Sequence, residues 1–311
     1  MRRTVLVAML VTIGGLSLGA AALQQQQQKL GPVRGIQKLR DNLYFISGGD
    51  LADRATWTGG NVMALVTNTG VVLVDTMLPG AGKGILDQVK SVTDKPVTMI
   101  INTHTHFDHT GSNTEFPATV EFVAHEGTRA NLARATCQPV TNCDAFKGDK
   151  AKYLPKRTFK DKLSLMSGKD QIDLYYFGRG HTSGDTFVVF PASRAMHAGD
   201  MFPRAQMPFI DFANSGGSAS EFSQTLQGAV TTIKNIDTVV GGHTVQPVTW
   251  NDFKTYTDFY KDFLTSVQES KKKGVSVDDF VKAYKVPDKY KGFNAEANGV
   301  KANTQAIYDG K

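Results

Sequence analysis

The sequence predicts an α/β protein in which helices cover the outer faces of sheets and a helical tail follows. Three observations predict it. Short β-branched runs bounded by turn residues recur along the chain, the clearest being "NVMALVTNTGVVLVDT" over 61–76. Between such runs lie stretches with helical spacing, as at Ile85, Leu86, Val89 and Val92. From Trp250 onward, Phe253, Tyr256, Phe259, Tyr260, Phe263 and Val267 recur three and four apart, the apolar face of a long core-facing helix.

The elements follow in order. "NLYFISG" (42–48) alternates as a strand does. Residues 61–76 form two strands joined at Asn68-Thr69-Gly70, a hairpin signal. A helix over 82–92 precedes the short apolar strand "PVTMIIN" (96–102). "TVEFVAH" (119–125) is a further strand and "EGTRANLARA" a helix. "DQIDLYYFG", "TFVVFP", "RAMHAG" and "DTVVGGH" are short strands, the last preceded by a helix in "SASEFSQTLQGAVTTIKN". No internal repeat holds at a fixed period.

The N-terminus has the layout of an export signal. Arg2 and Arg3 form a positive end, residues 4–23 are apolar, and Ala20-Ala21-Ala22 supplies a small-residue cleavage site. A disordered Gln-rich leader (23–38) is expected to follow, with a hydrolase-sized domain over 39–250 and a helical extension over 251–311. Cleavage would leave no stable membrane span and would direct the protein to the periplasm or outside the cell. It would also lower the net charge from +6 to +4, since Lys+Arg falls from 35 to 33 against 29 acids.

The positive charge is scattered, with short runs only at Lys156-Arg157 and Lys271-Lys272-Lys273. No basic, aromatic stripe tracks a phosphate backbone, which excludes nucleic acid as a partner and leaves a small-molecule substrate. "GAGKG" (80–84) lacks the spacing and the hydroxyl residue of a phosphate loop, and no G-x-S-x-G elbow occurs. Cys137 and Cys143, six apart in an exported chain, suit a local disulfide, with two free thiols as the alternative.

The chemistry gathers just past strand ends. "NTHTHFDHTG" (102–111) brings His104, His106, Asp108 and His109 into six positions. His181 lies in "GRGHTSGDT", Asp200 in "MHAGDMF" and His243 in "VVGGHT", each beside glycines after an apolar strand. Glycine allows the sharp turns and close approach that such loops need. Imidazole nitrogens and carboxylate oxygens are zinc's donors, and five histidines with two aspartates suffice for two ions. His125 and His197 remain, the first with a structural role at a strand end, the second in the core or behind the ligands.

Over roughly residues 40–250 these motifs resemble the metallo-β-lactamase superfamily: "THTHFDH", "GHTSGDT", "AGDMF" and "VVGGHT" occur in its order, and "VVLVDT" ends in Asp75, matching the aspartate that supports the metal loop. The resemblance implies an αββα four-layer sandwich with the site at one edge. It implies His104, His106 and His181 on a first metal, Asp108, His109 and His243 on a second, and Asp200 between them. Within the family, true β-lactam hydrolases generally carry Cys or Ser where this chain has Asp200. The chain is in that respect more similar to glyoxalase-II-like and lactonase-like dinuclear hydrolases.

The expected activity is that of a hydrolase with two zinc ions, iron or manganese being the alternatives. A hydroxide shared by the metals would attack the carbonyl of an ester, lactone, thioester or cyclic amide, with Asp108 orienting it. A mononuclear iron oxygenase acting on persulfides and a non-catalytic metal-binding protein are the competing readings. Phe107, Met201, Phe202, Met207 and Phe209 are candidates for an apolar pocket wall, and Phe146 and Tyr153 for an overhanging loop.

Overall fold

The computed structural model describes residues 30–311. The expected export signal (1–22) lies outside the described residues, as do residues 23–29 of the expected leader.

Among the described residues, thirteen strands form two sheets. The first holds β1 (Gln37–Lys38), β2 (Leu43–Ile46), β3 (Val62–Val66), β4 (Val71–Val74), β5 (Val97–Ile101), β6 (Glu121–His125) and β7 (Arg157–Phe159), neighbours in that order. The second runs in the order β13 (Val248–Thr249), β12 (Thr238–Val240), β11 (Ala195–His197), β10 (Phe187–Phe190), β9 (Ile172–Tyr175), β8 (Lys162–Leu165). Pairing from β4 to β7 is parallel, as is β11 with β12; the other pairs are antiparallel.

The side-chain period of two explains the layers. In β4, Val72 and Val74 turn into the core between the sheets, where they join Ile101, Leu174, Val188 and Phe190. Val71 and Leu73 turn outward under helix α1 (Gly82–Lys90), against Ile85 and Val89. In β10, Val188 and Phe190 face the first sheet, whereas Phe187 and Val189 face helices α4 (Phe222–Thr232) and α5 (Trp250–Lys272). Both faces of these strands are buried, so the sequence reads as continuous apolar runs rather than alternation. The result is the expected αββα sandwich.

α5 begins on a capping box in which Thr249 and Asp252 satisfy each other's backbone amides. Its Phe253, Tyr256, Tyr260 and Phe263 share one core with Val300, Ala306 and Ile307 of the last helix, α7 (Ala297–Tyr308), while α6 (Val277–Ala283) adds Phe280. The tail is thus a helical layer continuous with the second sheet. The expectation of a disordered leader through residue 38 needs correction over 30–38. Leu30, Val33 and Ile36 pack against the α1 layer, the Ile36 amide donates to Gln88 at 2.9 Å, and β1 pairs with β2. Three apolar residues spaced three apart were enough to fix a stretch that composition alone suggested was loose. No helix among the described residues is long and apolar enough to cross a membrane.

β4, β5 and β6 end at the same edge of the first sheet, and β9, β11 and β12 at the adjoining edge of the second. Loops beyond carboxyl ends of strands are where α/β sheets hold ligands.

Candidate metal centre

All seven residues expected as ligands come together at that edge and are buried. β5 delivers the loop of His104 and His106, and a one-turn helix, α2 (Phe107–Thr110), presents Asp108 and His109. The loops after β9, β11 and β12 bring His181, Asp200 and His243 from the other sheet. The donor atoms of His104, His106 and His181 lie within 4.8 Å of one another, as do those of Asp108, His109 and His243. Asp200 spans the two sets. Its Oδ1 is 3.3 Å from His109 Nε2, and its Oδ2 is 3.1 Å from His243 Nε2 and 3.6 Å from His181 Nε2.

The outer nitrogens of four imidazoles are already committed. His109 Nδ1 donates to Asp75 Oδ2 at 2.7 Å, and His181 Nδ1 donates to the Phe209 carbonyl at 2.7 Å. His106 Nε2 donates to Asp211 Oδ2 at 3.1 Å. The Thr103 hydroxyl donates to Asp75 and so accepts from His104 Nδ1 at 3.0 Å. These partners fix the tautomers by inference from their chemistry. The nitrogens left over point inward, where each can offer a lone pair to a metal once His109 gives up the proton that its carboxylate neighbours favour on Nε2. His106 Nδ1 and His181 Nε2 face each other across 2.9 Å, and His104 Nε2, His109 Nε2 and Asp200 Oδ1 are buried without a hydrogen-bond partner. Orphaned buried acceptors are costly, and lone pairs in van der Waals contact repel. Two cations among these atoms would relieve both costs, so the donor set fits metal.

Asp75 holds the site from below. Its backbone adopts the left-handed conformation (φ 64°), which aspartate tolerates better than most residues. Its carboxylate accepts from the Thr103 amide (2.8 Å), the Thr103 hydroxyl (2.7 Å) and His109, tying β4 to both metal sets. Two glycines are required by close approach. A Cβ at Gly242 would stand 1.8 Å from Asp200 Oδ1, and one at Gly60 would stand 2.2 Å from His109 Cε1.

The electrostatics follow from burial and crowding. Burial, then the neighbouring His109, His181 and His106, holds His104 well below the usual histidine range. Burial and His106 lower His181. Burial alone would lower His109, but Asp200, Asp108 and Asp75 outweigh it and raise it well above that range. Burial alone would raise Asp200, yet His243 and His109 hold it ionised.

His125 and His197 stand outside the donor set. His125 Nδ1 accepts from the Gly127 amide at the start of α3 (Glu126–Leu132), Nε2 donates to the Lys160 carbonyl, and the ring stacks on Tyr176. His197 Nε2 donates to Asn61 O, and Nδ1 accepts from the Gly199 amide, steadying the turn that carries Asp200.

Above the donors opens a cleft of about 300 Å³. Phe107 and Phe209 line it as expected, with Trp57, Arg54 and Val140. Met201 and Phe202 instead turn into the core, and Met207 turns away from the cleft toward Gly299 of the last helix. Phe146 is buried and Tyr153 packs on Phe122, so neither overhangs the donors. The loop's contribution is Val140, held because Cys137 and Cys143 are joined in a disulfide and because Thr141 O and Asn142 Nδ2 bond Thr105 and Thr110 of the metal loop. The residues missed from sequence are Asp211, Trp57 and Arg54. Asp211 stood in "MPFIDFANSGGS" with no spacing to distinguish it from any loop aspartate.

A model of the metallo-beta-lactamase superfamily matches residues 55–258. A metallo-beta-lactamase type 2 from Elizabethkingia meningoseptica is 26% identical over 258 residues, 83% of this chain and 95% of that protein. The alpha subunit of a 2,4-dinitroanisole O-demethylase from Nocardioides sp. (strain JS1661) is 31% identical over 145 residues, 44% of this chain and 40% of its own. Among solved structures, a stereoselective inverting sec-alkylsulfatase from Pseudomonas sp. superposes with TM-score 0.64 at 15% identity, covering 89% of this chain and 51% of that one.

Proposed function

Because the chain belongs to the metallo-beta-lactamase superfamily and is a hydrolase of it, we propose that it is a dinuclear zinc enzyme cleaving the acyl bond of an ester, lactone, thioester or cyclic amide. The observation that carries the reading is the tautomer pattern. Four imidazoles have their outer N–H groups tied to Asp75, Thr103, Asp211 and the Phe209 carbonyl, which turns four lone pairs onto the space that Asp200 spans. His104, His106 and His181 would hold one zinc; Asp108, His109 and His243 would hold the other; Asp200 would touch both. Zinc bound there supplies Lewis-acid polarisation of a carbonyl and water that ionises near neutral pH.

The chain's own groups supply the rest. Asp108 Oδ2 sits 3.4 Å from His243 Nε2 at the cleft floor, where a carboxylate can orient an attacking water and accept its proton. Arg54, lying 4.8 Å over the Trp57 ring, is the cation of the cleft wall and suits an anionic group on the substrate. The completeness of the second donor set favours two metals over the mononuclear iron reading. Export to the periplasm or beyond belongs to the same proposal and is supported by the Cys137–Cys143 disulfide.

The test is acid release by zinc-loaded protein against lactones, thioesters, aryl esters and β-lactams. Turnover that Asp108→Ala and His181→Ala abolish is the expected result. Zinc bound at two per chain with no turnover of any of the four classes would overturn the acyl-hydrolase reading.

A further inference from the structure

Beyond the Phe209 ring the metal cleft meets a second cavity, of about 390 Å³. Gln206 and Phe209 line both spaces. Phe209 is one of the few large apolar side chains left in water, 58% exposed, although its main chain is fixed by the bond from His181. The ring stands where the cleft and the hollow adjoin, so a substrate chain leaving the metal centre would cross it.

The chemistry of the hollow is one-sided. Met207, Ile210 and Phe212 give it an apolar lining, and Gly299 and Ala302 of α7 form the opposite wall. Asn298 and Gln206 lie on its rim, and the amides deeper in it are already used. Asn303 Nδ2 donates to the Pro208 and Gly299 carbonyls, its Oδ1 accepts from the Tyr260 hydroxyl, and Asn214 bonds Asp211. The acid on its rim, Asp211, is turned to His106. The lining residues leave no unpaired charge for an ionic guest, and burying such a group there would be costly.

We propose that this cavity is the subsite for an uncharged, apolar chain of the substrate, and that the enzyme selects medium-length acyl chains over short ones. The inference rests on the acyl-hydrolase reading for what lies at the metal end. One wall comes from α7, past the residues 55–258 matched by the superfamily model, and the other from the 206–214 loop within them.

The geometry gives the magnitude. Each methylene moved from water into apolar surroundings is worth about fourfold in affinity. Four methylenes set a ceiling of about 250-fold, which ordering a flexible chain lowers to about 30-fold. The experiment measures calorimetric affinities of butanamide and octanamide for the zinc-loaded protein and for Ala302→Trp, together with kcat/KM on phenyl acetate and phenyl octanoate. Ala302 is exposed and lines the hollow but not the metal cleft, so a larger side chain there fills space without displacing the core. Expected are a preference of about 30-fold for octanamide, its collapse to within about threefold in Ala302→Trp, and phenyl acetate turnover unchanged within twofold. Equal affinities for the two amides, or a preference that survives Ala302→Trp, would overturn the subsite. Octanamide selectivity that Ala302→Trp abolishes, with neither ester turned over, would leave the subsite standing and count against the acyl-hydrolase reading instead.

Discussion

Replacing Asp75 by asparagine separates a scaffold role from a metal-tuning one. The carboxylate accepts three hydrogen bonds: the Thr103 amide on Oδ1, and the Thr103 hydroxyl and His109 Nδ1 on Oδ2. An amide of the same shape keeps one acceptor. With its oxygen toward the Thr103 amide, its NH₂ faces His109 Nδ1 and can donate only if that nitrogen gives up its proton. The proton would then sit on Nε2, the atom now lying 3.3 Å from Asp200 Oδ1 and 3.8 Å from Asp108 Oδ2. The reversed amide would set two donors against each other where 2.8 Å now separates Thr103 N from Oδ1, the costlier arrangement. Asp75→Asn should therefore remove His109 as a ligand without removing its ring. Loss of a partner behind a metal ligand typically costs about 10–100-fold in metal affinity. The lost charge-assisted bond should cost the metal-free fold roughly 1.5–3 kcal/mol. His106 and His181 are oriented by Asp211 and the Phe209 carbonyl, and only His104 of that set depends on Asp75, through the Thr103 hydroxyl, so the first zinc should weaken less than the second. The assay is a zinc titration against a competing chelator, resolved into two affinities, beside urea unfolding of the metal-free protein. A stability loss with both zinc affinities intact would refute the tautomer argument and leave Asp75 a scaffold residue.

Gly242→Ala should displace Asp200, because a Cβ there would lie 1.8 Å from Oδ1; we expect about 10–100-fold weaker zinc binding and roughly 1–3 kcal/mol of strain, and unchanged metal content would contradict it. In the metal-free protein, burial holds His104, His125, His181 and His197 below their ordinary range, while His109 is raised. The unfolded chain therefore takes up protons first at the four lowered histidines. Stability should fall as pH drops below about 6.5, by up to about 1.4 kcal/mol per unit for each, while His109, protonated in both states there, works against them only above that pH; a urea midpoint flat from pH 6.5 to 5.5 would refute this. Replacing both cysteines by serine should destabilise the fold by about 2 kcal/mol through the short loop they close, and should loosen Val140 and the metal loop that Thr141 and Asn142 brace; unfolding and zinc titrations that match the unaltered protein would sink both expectations.

What the sequence could disclose depended on whether the signal was local. The seven donors were legible because strand, glycine and ligand fall within a few residues of each other, and the β4 and β10 runs were legible because burial on both faces leaves them wholly apolar. β7 and β8 escaped notice because their exposed edge residues, Arg157 and Lys162 among them, break up the pattern, leaving Phe159 and Leu165 as the buried anchors. The residues that aim the ligands were hidden for a different reason. Asp211 and the Phe209 carbonyl belong to an irregular loop whose shape is imposed from a distance. Asn303 of α7 holds the Pro208 carbonyl, Asn294 and Gln206 pair as a one-residue bridge, and the Asp211 amide bonds the His181 carbonyl.

That chain of contacts changes how the tail is understood. Its aromatic stripe explains only why α5 packs. The loop it braces passes directly from α7 to the two imidazoles of the first donor set, so a helix with no donor of its own sets the direction in which His106 and His181 point. The same helix walls the apolar hollow beside Phe209. Orientation of the ligands and the shape offered to the substrate therefore rest on one element, and a substitution at Asn303 should disturb both at once, whereas one at Ala302 should disturb only the second. Replacing Asn303 by leucine would strip the Pro208 carbonyl of its donor, at a cost of roughly 1–3 kcal/mol for a buried unsatisfied group. It should weaken the first zinc along with chain-length selectivity, and a variant that lost selectivity while binding the first zinc unchanged would break the proposed link.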